Sequence, residues 1–472
     1  MRRHRQAKII CTLGPRTGDP EMIKFLFEAG ADVFRLNFSH GTHEEQAARI
    51  ASIRSVEAEF QRPIAILTDL QGPKLRVGDF ENGAVELQVG DNFQLDLQDA
   101  LGDQTRVQLP HPEIFKVITE GTEILLDDGK LLLQTEEVGS DFAKTTVIAG
   151  GILSNKKGVN VPNAILPISP ITPKDRTDLE FALDHAVDYV GLSFIQRPED
   201  VREARSLIGD RALIMSKLEK PSSIDHLDDI VALSDAIMVA RGDLGVEMPA
   251  EDVPILQKRI IRACRKFGKP VVVATQMLES MVSSPTPTRA EASDVATAIY
   301  DQADAVMLSA ETAIGAFPID AVKMMQRIIR RVERDPIFWD QGGNRRTEPE
   351  ATTADAITAA ARQVAETVSA AVIVTYTTSG STSIRAARER PKVPILCVTE
   401  HLRTARRLAV VWGVQCVIAE DARDFAAMID EARTLAKKFE FASPGQPLVV
   451  TAGVPFGTPG ATNVLRVELL DP

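Results

Sequence analysis

An α/β architecture, a (β/α)8 barrel broken by an inserted β domain and followed by a separate open α/β domain, is what this 472-residue sequence predicts. Three observations carry it. Eight short β-branched runs are each followed by a longer segment of helical period, one unit is interrupted by a long tract of strand-type alternation, and βα alternation resumes after a polar stretch.

The barrel strands are expected at 8–13, 32–37, 64–69, 188–193, 212–217, 236–240, 271–275 and 305–309. Each precedes an amphipathic segment. Two of these helices open with capping boxes, Thr42 with Glu45 and Thr288 with Glu291, where side chains satisfy the first free backbone N–H groups. After Asp69 the period changes to two, with runs at 84–89, 92–97 and 122–138 and a hairpin turn at Asp127-Asp128-Gly129. Helical period returns at Thr172-Pro173, a cap followed by proline at the first helical position. A polar stretch at 335–350, containing Gly342, Gly343 and Pro349, reads as a linker, and helices and apolar strands alternate from Ala351 onward. The resulting division is 1–72 with 170–340 for the barrel, 73–169 for the insert, 341–350 for the linker and 351–472 for the last domain.

Composition narrows the function. Hydrophobic residues make up 44% and charged residues 25%, as in ordinary soluble proteins, so disorder and coiled coil drop out. Asp and Glu exceed Lys and Arg by 66 to 54, a net charge of −12 with no polybasic tail, which argues against nucleic-acid or acidic-membrane partners. Cys11, Cys264, Cys397 and Cys416 lie singly, without zinc-site spacing, and point to a reducing compartment. The basic start has too short an apolar run for a signal peptide and no stretch approaches a membrane span, so a cytoplasmic protein is expected.

In such a barrel, side chains past the C-terminal strand ends converge on one mouth. Here they are Arg35, Asn37, Ser39 and His40 after the second strand, Asp69 after the third, Lys217 and Glu219 after the fifth, Arg241 and Asp243 after the sixth, Thr275 and Gln276 after the seventh, and Ser309 and Glu311 after the eighth. Glu219 and Asp243 are paired carboxylates without His or Cys, a donor set for magnesium or manganese rather than zinc. The alternative is a pair of salt bridges to Lys217 and Arg241. Cations beside a divalent metal suit phosphoryl transfer, in which catalysis is mostly positioning and charge stabilisation. The run Arg241-Gly242-Asp243-Leu244-Gly245 is expected to turn tightly off its strand and offer free N–H groups to an anion.

The segments KIICTLGP, FRLNFSHGTHEE, TDLQGPKLR, SKLE, IMVARGDLGVE, VVVATQMLESM, PTRAEASDVATAI and AVMLSAETAIG, in this order, resemble the pyruvate kinase family over nearly the whole chain. The resemblance implies a TIM barrel with a β-barrel lid and a C-terminal regulatory domain, and transfer of the phosphoryl group of phosphoenolpyruvate to ADP, giving pyruvate and ATP. It implies that Lys217 stabilises the phosphoryl in flight, Arg35 holds the phosphate, and Glu219 and Asp243 bind the metal. The N–H groups of Gly242 and Asp243, with Thr275, would cradle the substrate carboxylate. Thr275 and Ser309 would stand near the proton relay to the enolate, with a water as an alternative donor. Asn37, His40, Arg76 and Lys174 match positions around the nucleotide phosphates, a structural role being the alternative for His40. Thr377, Thr378, Ser379, Gly380, Ser381, Thr382 and Ser383 resemble an effector loop for a phosphorylated metabolite, with an ordinary capped turn as the alternative, and the 453–460 loop would close over it. A homotetramer is also implied.

One departure separates this sequence from potassium-requiring members. Asn37, Ser39 and Asp69 resemble potassium ligands, but Lys74 stands where those members carry Glu, and Leu70 and Gln71 replace common Thr and Lys. A tethered ammonium would supply the charge potassium otherwise provides, so potassium independence is expected. Two rival readings exist: a metal-dependent aldolase or mutase, against which the insert argues, and a non-catalytic metabolite sensor, against which intact Lys217, Glu219 and Asp243 argue.

Overall fold

The computed structural model describes residues 2–162, 164–343, 348–420, 424–454 and 462–471, without the side chains of 340–343. Eight parallel strands close a barrel in sequence order, Lys8–Leu13, Val33–Asn37, Ala65–Asp69, Tyr189–Leu192, Leu213–Leu218, Ala236–Ala240, Val271–Ala274 and Ala305–Leu308, the first pairing with the last from Lys8↔Ala305 to Cys11↔Leu308. Alternation sorts the side chains: Ile10, Val33, Leu67, Met215, Met238, Val272 and Met307 fill the interior, while Ile9, Cys11, Phe34 and Ile66 pack outward on the helices. Both anticipated capping boxes form, and Thr172 makes a third with Asp175.

The helix His43–Phe60 departs from the amphipathic expectation. Alongside Ile50, Ile53 and Val56 it buries Gln46 and Glu57. Gln46 donates to the carbonyls of Asn37 (3.3 Å) and His40 (3.0 Å), and Glu57 accepts the N–H of Ile64 at 2.9 Å and pairs with Arg406 of the C-terminal domain. Polar burial is offset there by full hydrogen bonding.

The insert has its own core around Phe80, Phe93, Leu95, Val107, Leu133 and Val147, under a six-stranded sheet and a two-stranded ribbon. Its turn sits where expected: Asp127, Asp128 and Gly129 all adopt positive φ between Glu123–Leu126 and Leu131–Val138.

Part of the linker is structured. Pro336–Gly343 is helical because Phe338 is buried and Trp339 packs edge-on to Trp412, an anchor that the neighbouring glycines and polar residues disguise. In the C-terminal domain the four strands of the βα units form one sheet, and a fifth, Thr462–Leu469, runs antiparallel along Pro447–Gly453. That strand is absent from the sequence reading, since half of its residues are exposed and it lacks an apolar run. Among the described residues no helix is long and apolar enough to cross a membrane.

Candidate active site at the barrel mouth

Lys217, near the end of the fifth strand, is the hub of the mouth. Its buried Nζ donates to Ser193 Oγ at 2.8 Å and lies 2.8 Å from Glu219 Oε1 and 3.4 Å from Asp69 Oδ1. Burial pulls its pKa down, yet Asp69 and Glu219 outweigh this and hold it above the ordinary lysine value, so the ammonium is firmly charged. Asp69 also accepts Arg35 Nε at 2.7 Å, and Arg35 reaches Thr12 Oγ1 at 3.1 Å. Burial alone would raise the Asp69 pKa, but Lys217 and Arg35 bring it below the usual value.

Glu219 is less well compensated. Burial drives its pKa up to about 7, Lys217 opposes this, and Asp243 reinforces it. Its second oxygen accepts the N–H of Phe194, 2.7 Å away, and Phe194 holds φ 57° to deliver it. No third His, Cys, Asp or Glu joins this pair among the described residues. Two oxygen donors short of positive charge fit a hard divalent cation that takes its remaining ligands from substrate and water. The salt-bridge alternative holds for one partner only, since Lys217 does pair with Glu219, while Arg241 turns away to Asp294 (2.6 Å).

The Arg241–Gly245 run corrects the expectation of a turn. It begins a short helix, Arg241–Glu247, directly on the sixth strand, so its first N–H groups are those of a helix start. Gly242 N–H donates to Thr275 Oγ1 at 2.7 Å. Thr275 lies outside the seventh strand, with φ 71°, a costly conformation for a β-branched residue. Arg241 Nη2 holds its carbonyl at 2.8 Å, so Arg241 is a positioning residue for Thr275. Among the described residues the buried Ser309 hydroxyl has no hydrogen-bond partner; beside it Glu311 accepts the Ser309 N–H at 2.6 Å and the Leu278 N–H at 3.0 Å.

A second group lies toward the insert. Lys74, half-buried, lines a narrow cleft between insert and barrel, together with Asp243, Phe194 and Lys220. Leu70 is buried, and its carbonyl accepts Ser193 Oγ at 2.8 Å. Asn37 Oδ1 caps the N–H of exposed Ser39 at 3.0 Å, and His40 is also exposed. Lys174 Nζ donates to the Phe38 carbonyl at 2.7 Å and to Asp178 at 2.5 Å, while Arg76 is exposed and bonded to the Lys156 carbonyl at 2.8 Å. The mouth therefore unites Arg35, Asp69, Lys217 and Glu219 by direct contact, with Asn37, Ser39, His40 and Lys174 on its rim and Arg76 on the insert. Sequence reasoning passed over Ser193, Phe194, Thr12 and Asp294, which reveal themselves only as partners of charged neighbours.

In the C-terminal domain, Gly380 (φ 93°) precedes the helix Ser381–Arg388, and Thr377 Oγ1 accepts its N–H at 2.9 Å. Thr382 and Ser383 are buried, their hydroxyls engaged with Thr462 and Thr375 at 2.7 Å each, which leaves Thr377, Thr378, Ser379 and Ser381 toward solvent. Residues 455–460 of the anticipated closing loop lie outside the described residues.

Comparison with known proteins follows the same layout. The family model for the pyruvate kinase barrel domain matches residues 4–322, and that for the pyruvate kinase alpha/beta domain matches residues 355–468. A pyruvate kinase of Methylorubrum extorquens is 52% identical over 470 residues, covering 100% of this chain and 98% of the relative. One of Geobacillus stearothermophilus is 43% identical, covering 99% of this chain and 80% of the relative. The crystal structure of a pyruvate kinase from Cryptosporidium parvum superposes with a TM-score of 0.93 at 34% identity, covering 99% of this chain and 96% of that one. With both domains matched and full-length identity of this order, the chain belongs to the pyruvate kinase family.

Proposed function

We propose that this chain transfers the phosphoryl group of phosphoenolpyruvate to ADP at the barrel mouth, and that the residues named above divide the work. The observation that carries the reading is the buried, permanently charged Lys217 standing between Asp69, Glu219 and Ser193. Arg35, aligned by Asp69 and Thr12, binds the phosphate, and Lys217 meets the charge that grows on the phosphoryl oxygens as the bond to the enol oxygen lengthens. The substrate carboxylate takes the place of Thr275 Oγ1 at the helix start, accepting from the N–H groups of Gly242 and Asp243 with Thr275 alongside. Glu219 and Asp243 hold a divalent cation, magnesium or manganese, which when bound neutralises phosphate charge and aligns the phosphoryl donor with its acceptor. The enolate left behind is protonated at carbon through Thr275 and Ser309 or a water they position; the unpartnered Ser309 hydroxyl suits the relay.

Asn37, His40, Arg76 and Lys174 receive the ADP phosphates. Lys74, in the cleft with Asp243, supplies the charge of a monovalent cation, so the reaction does not require potassium. The solvent-facing part of the 377–383 loop binds a phosphorylated effector, and the protein works in the cytoplasm as a homotetramer. ATP formation from phosphoenolpyruvate and ADP, with magnesium and potassium varied independently, tests the reading. Activity is expected to need the divalent ion and to be near full without potassium, and Lys74→Glu to lower it in a way potassium partly restores. Absence of ATP would overturn the transfer, and strong potassium activation of the unmodified chain would overturn the role of Lys74. Light scattering tests the tetramer. Failure of Ser379→Asp to alter the response to sugar phosphates and nucleoside monophosphates would overturn the effector loop.

A further inference from the structure

On the side of the barrel away from the mouth, a cavity of about 340 Å³ opens against the C-terminal domain, within the range of small-molecule sites, roughly 300–1,000 Å³. Its barrel wall consists of strand beginnings: Tyr189 opens the fourth strand, Leu213 the fifth, and Pro270 precedes the seventh. Its opposite wall presents Ile384 and Leu408, with Ser379 and Ser381 at one edge.

The charges lining it do not balance. Lys269, Arg385, Arg388 and Arg407 face two carboxylates, Asp235 and Glu350. Asp235 is already held from outside the cavity, by Arg205 at 2.6 Å and by the Ile214 N–H at 2.8 Å, and Glu350 is exposed, 4.0 Å from Arg385. Arg385 and Arg388 share one carboxylate, Asp355. Neither Lys269 nor Arg407 forms a salt bridge among the described residues. Lys269 Nζ donates to the Ser234 carbonyl at 2.6 Å, Arg407 Nη2 donates to the Asp210 carbonyl at 2.9 Å, and the buried Nε of Arg407 has no hydrogen-bond partner. Burial depresses the pKa of both groups, the cost that an anion between them would remove.

We propose that this cavity binds a phosphomonoester of metabolite size, its dianionic group among Lys269, Arg385 and Arg407 and its body against Tyr189, Ile384 and Leu408. The site differs from the loop reading above, because two of its three phosphate partners, Lys269 and Arg407, lie on other elements; only Arg385 belongs to the helix that the loop opens. Lys269 belongs to the barrel, and Arg407 ends the helix Leu402–Arg407. A ligand here touches both domains at a point where they are already tied, Tyr189 Oη donating to the Arg407 carbonyl at 2.6 Å. It also reaches the mouth through rigid structure, since Leu213 and Lys217 lie on one strand, four residues and so about 13 Å apart at ~3.3 Å per residue. Occupancy therefore biases turnover through the barrel strands.

Hydrogen–deuterium exchange of the unmodified chain, with inorganic phosphate, a hexose 6-phosphate and a nucleoside 5′-monophosphate as probes, tests the site. At least one ester is expected to protect 267–270 together with 403–408, more strongly than inorganic phosphate does. Arg407→Gln and Lys269→Met should each weaken binding of that ester about tenfold, the value of one charge-assisted hydrogen bond, and Arg407→Lys should retain part of it. Protection confined to 377–383 would overturn the cavity while sustaining the loop reading, and no protection by any probe at millimolar concentration would overturn the cavity outright. Equal protection by inorganic phosphate would overturn the role of the apolar wall.

Discussion

The strand-start aspartates at one end of the barrel and the carboxylates at its mouth are given different partners. At the N-terminal end, each even-numbered strand is preceded by an aspartate that accepts a backbone N–H from the preceding odd-numbered strand. Asp32 takes Ile9 N–H (3.0 Å), Asp188 takes Ile66 (2.8 Å), Asp235 takes Ile214 (2.8 Å) and Asp304 takes Val271 (3.1 Å). Each is also paired with arginine: Arg5 and Arg62 on Asp32, Arg54 on Asp188, Arg205 on Asp235 and Arg390 on Asp304. At the C-terminal end, Glu219 and Asp243 both interact with the Lys217 ammonium, and Thr275 and Phe194 are held at positive φ. Each of the strand-start aspartates has an arginine within the protein, although burial still holds the Asp188 pKa above its ordinary value. The mouth is left short of positive charge, a deficit that suits a bound cation.

The largest effect expected from this contrast is at the mouth. Lys217→Ala should lower kcat by about two to three orders of magnitude, as loss of a transition-state charge partner does, in a protein that still folds. Steady-state kinetics showing a raised KM at unchanged kcat would refute it. Asp32→Asn should behave conversely, costing about 3–5 kcal/mol of stability in urea unfolding because buried arginines lose their counter-ion, with metal titration unaltered in the folded fraction. Burial would raise the Asp32 pKa, but Arg5, Lys8, Arg62 and Arg3 hold it well below the ordinary value. Its contribution is thus complete above the unfolded pKa of ~3.9 and is lost as pH falls through the folded value. Stability curves of parent and variant should converge in strong acid, and a constant gap down to the lowest pH would contradict the assignment.

Glu219→Gln sharpens the comparison by removing a carboxylate that is only partly compensated. It should raise the magnesium concentration for half-maximal activity about tenfold or more while leaving metal-free stability equal to or above the parent's. Superimposable magnesium titrations would sink the ligand assignment. The smallest effect belongs to Thr288→Ala, which removes the cap of the helix carrying Asp294, the partner of Arg241. It should cost about 1 kcal/mol with magnesium dependence unmoved; a shifted magnesium curve would mean that the Asp294–Arg241–Thr275 chain reaches the metal site.

Much of this was legible along the chain. The strands at 8–13 and 236–240 coincide with the expected ones, and others shift by only a residue or two. The seventh strand stops before Thr275, because that residue is bent out of the strand by bonds to Arg241 and Gly242, which no local pattern records. The helix at Pro336–Gly343 and the edge strand Thr462–Leu469 escaped for the same reason, each being stabilised by neighbours distant in sequence.

The sequence by itself determined the order of the barrel, insert and α/β domain, the caps that start its helices and the charged residues that collect at one mouth, because period, capping and strand ends are local properties of a chain. Tertiary structure alone decided which charges are balanced. It gave Asp69 to Arg35, turned Arg241 away from Asp243 toward Asp294, tied Lys217 to Glu219 and buried Thr382 and Ser383 beneath their loop. The balance of a charge depends on burial and on the distance to groups far away in sequence, and both are set only when the barrel closes.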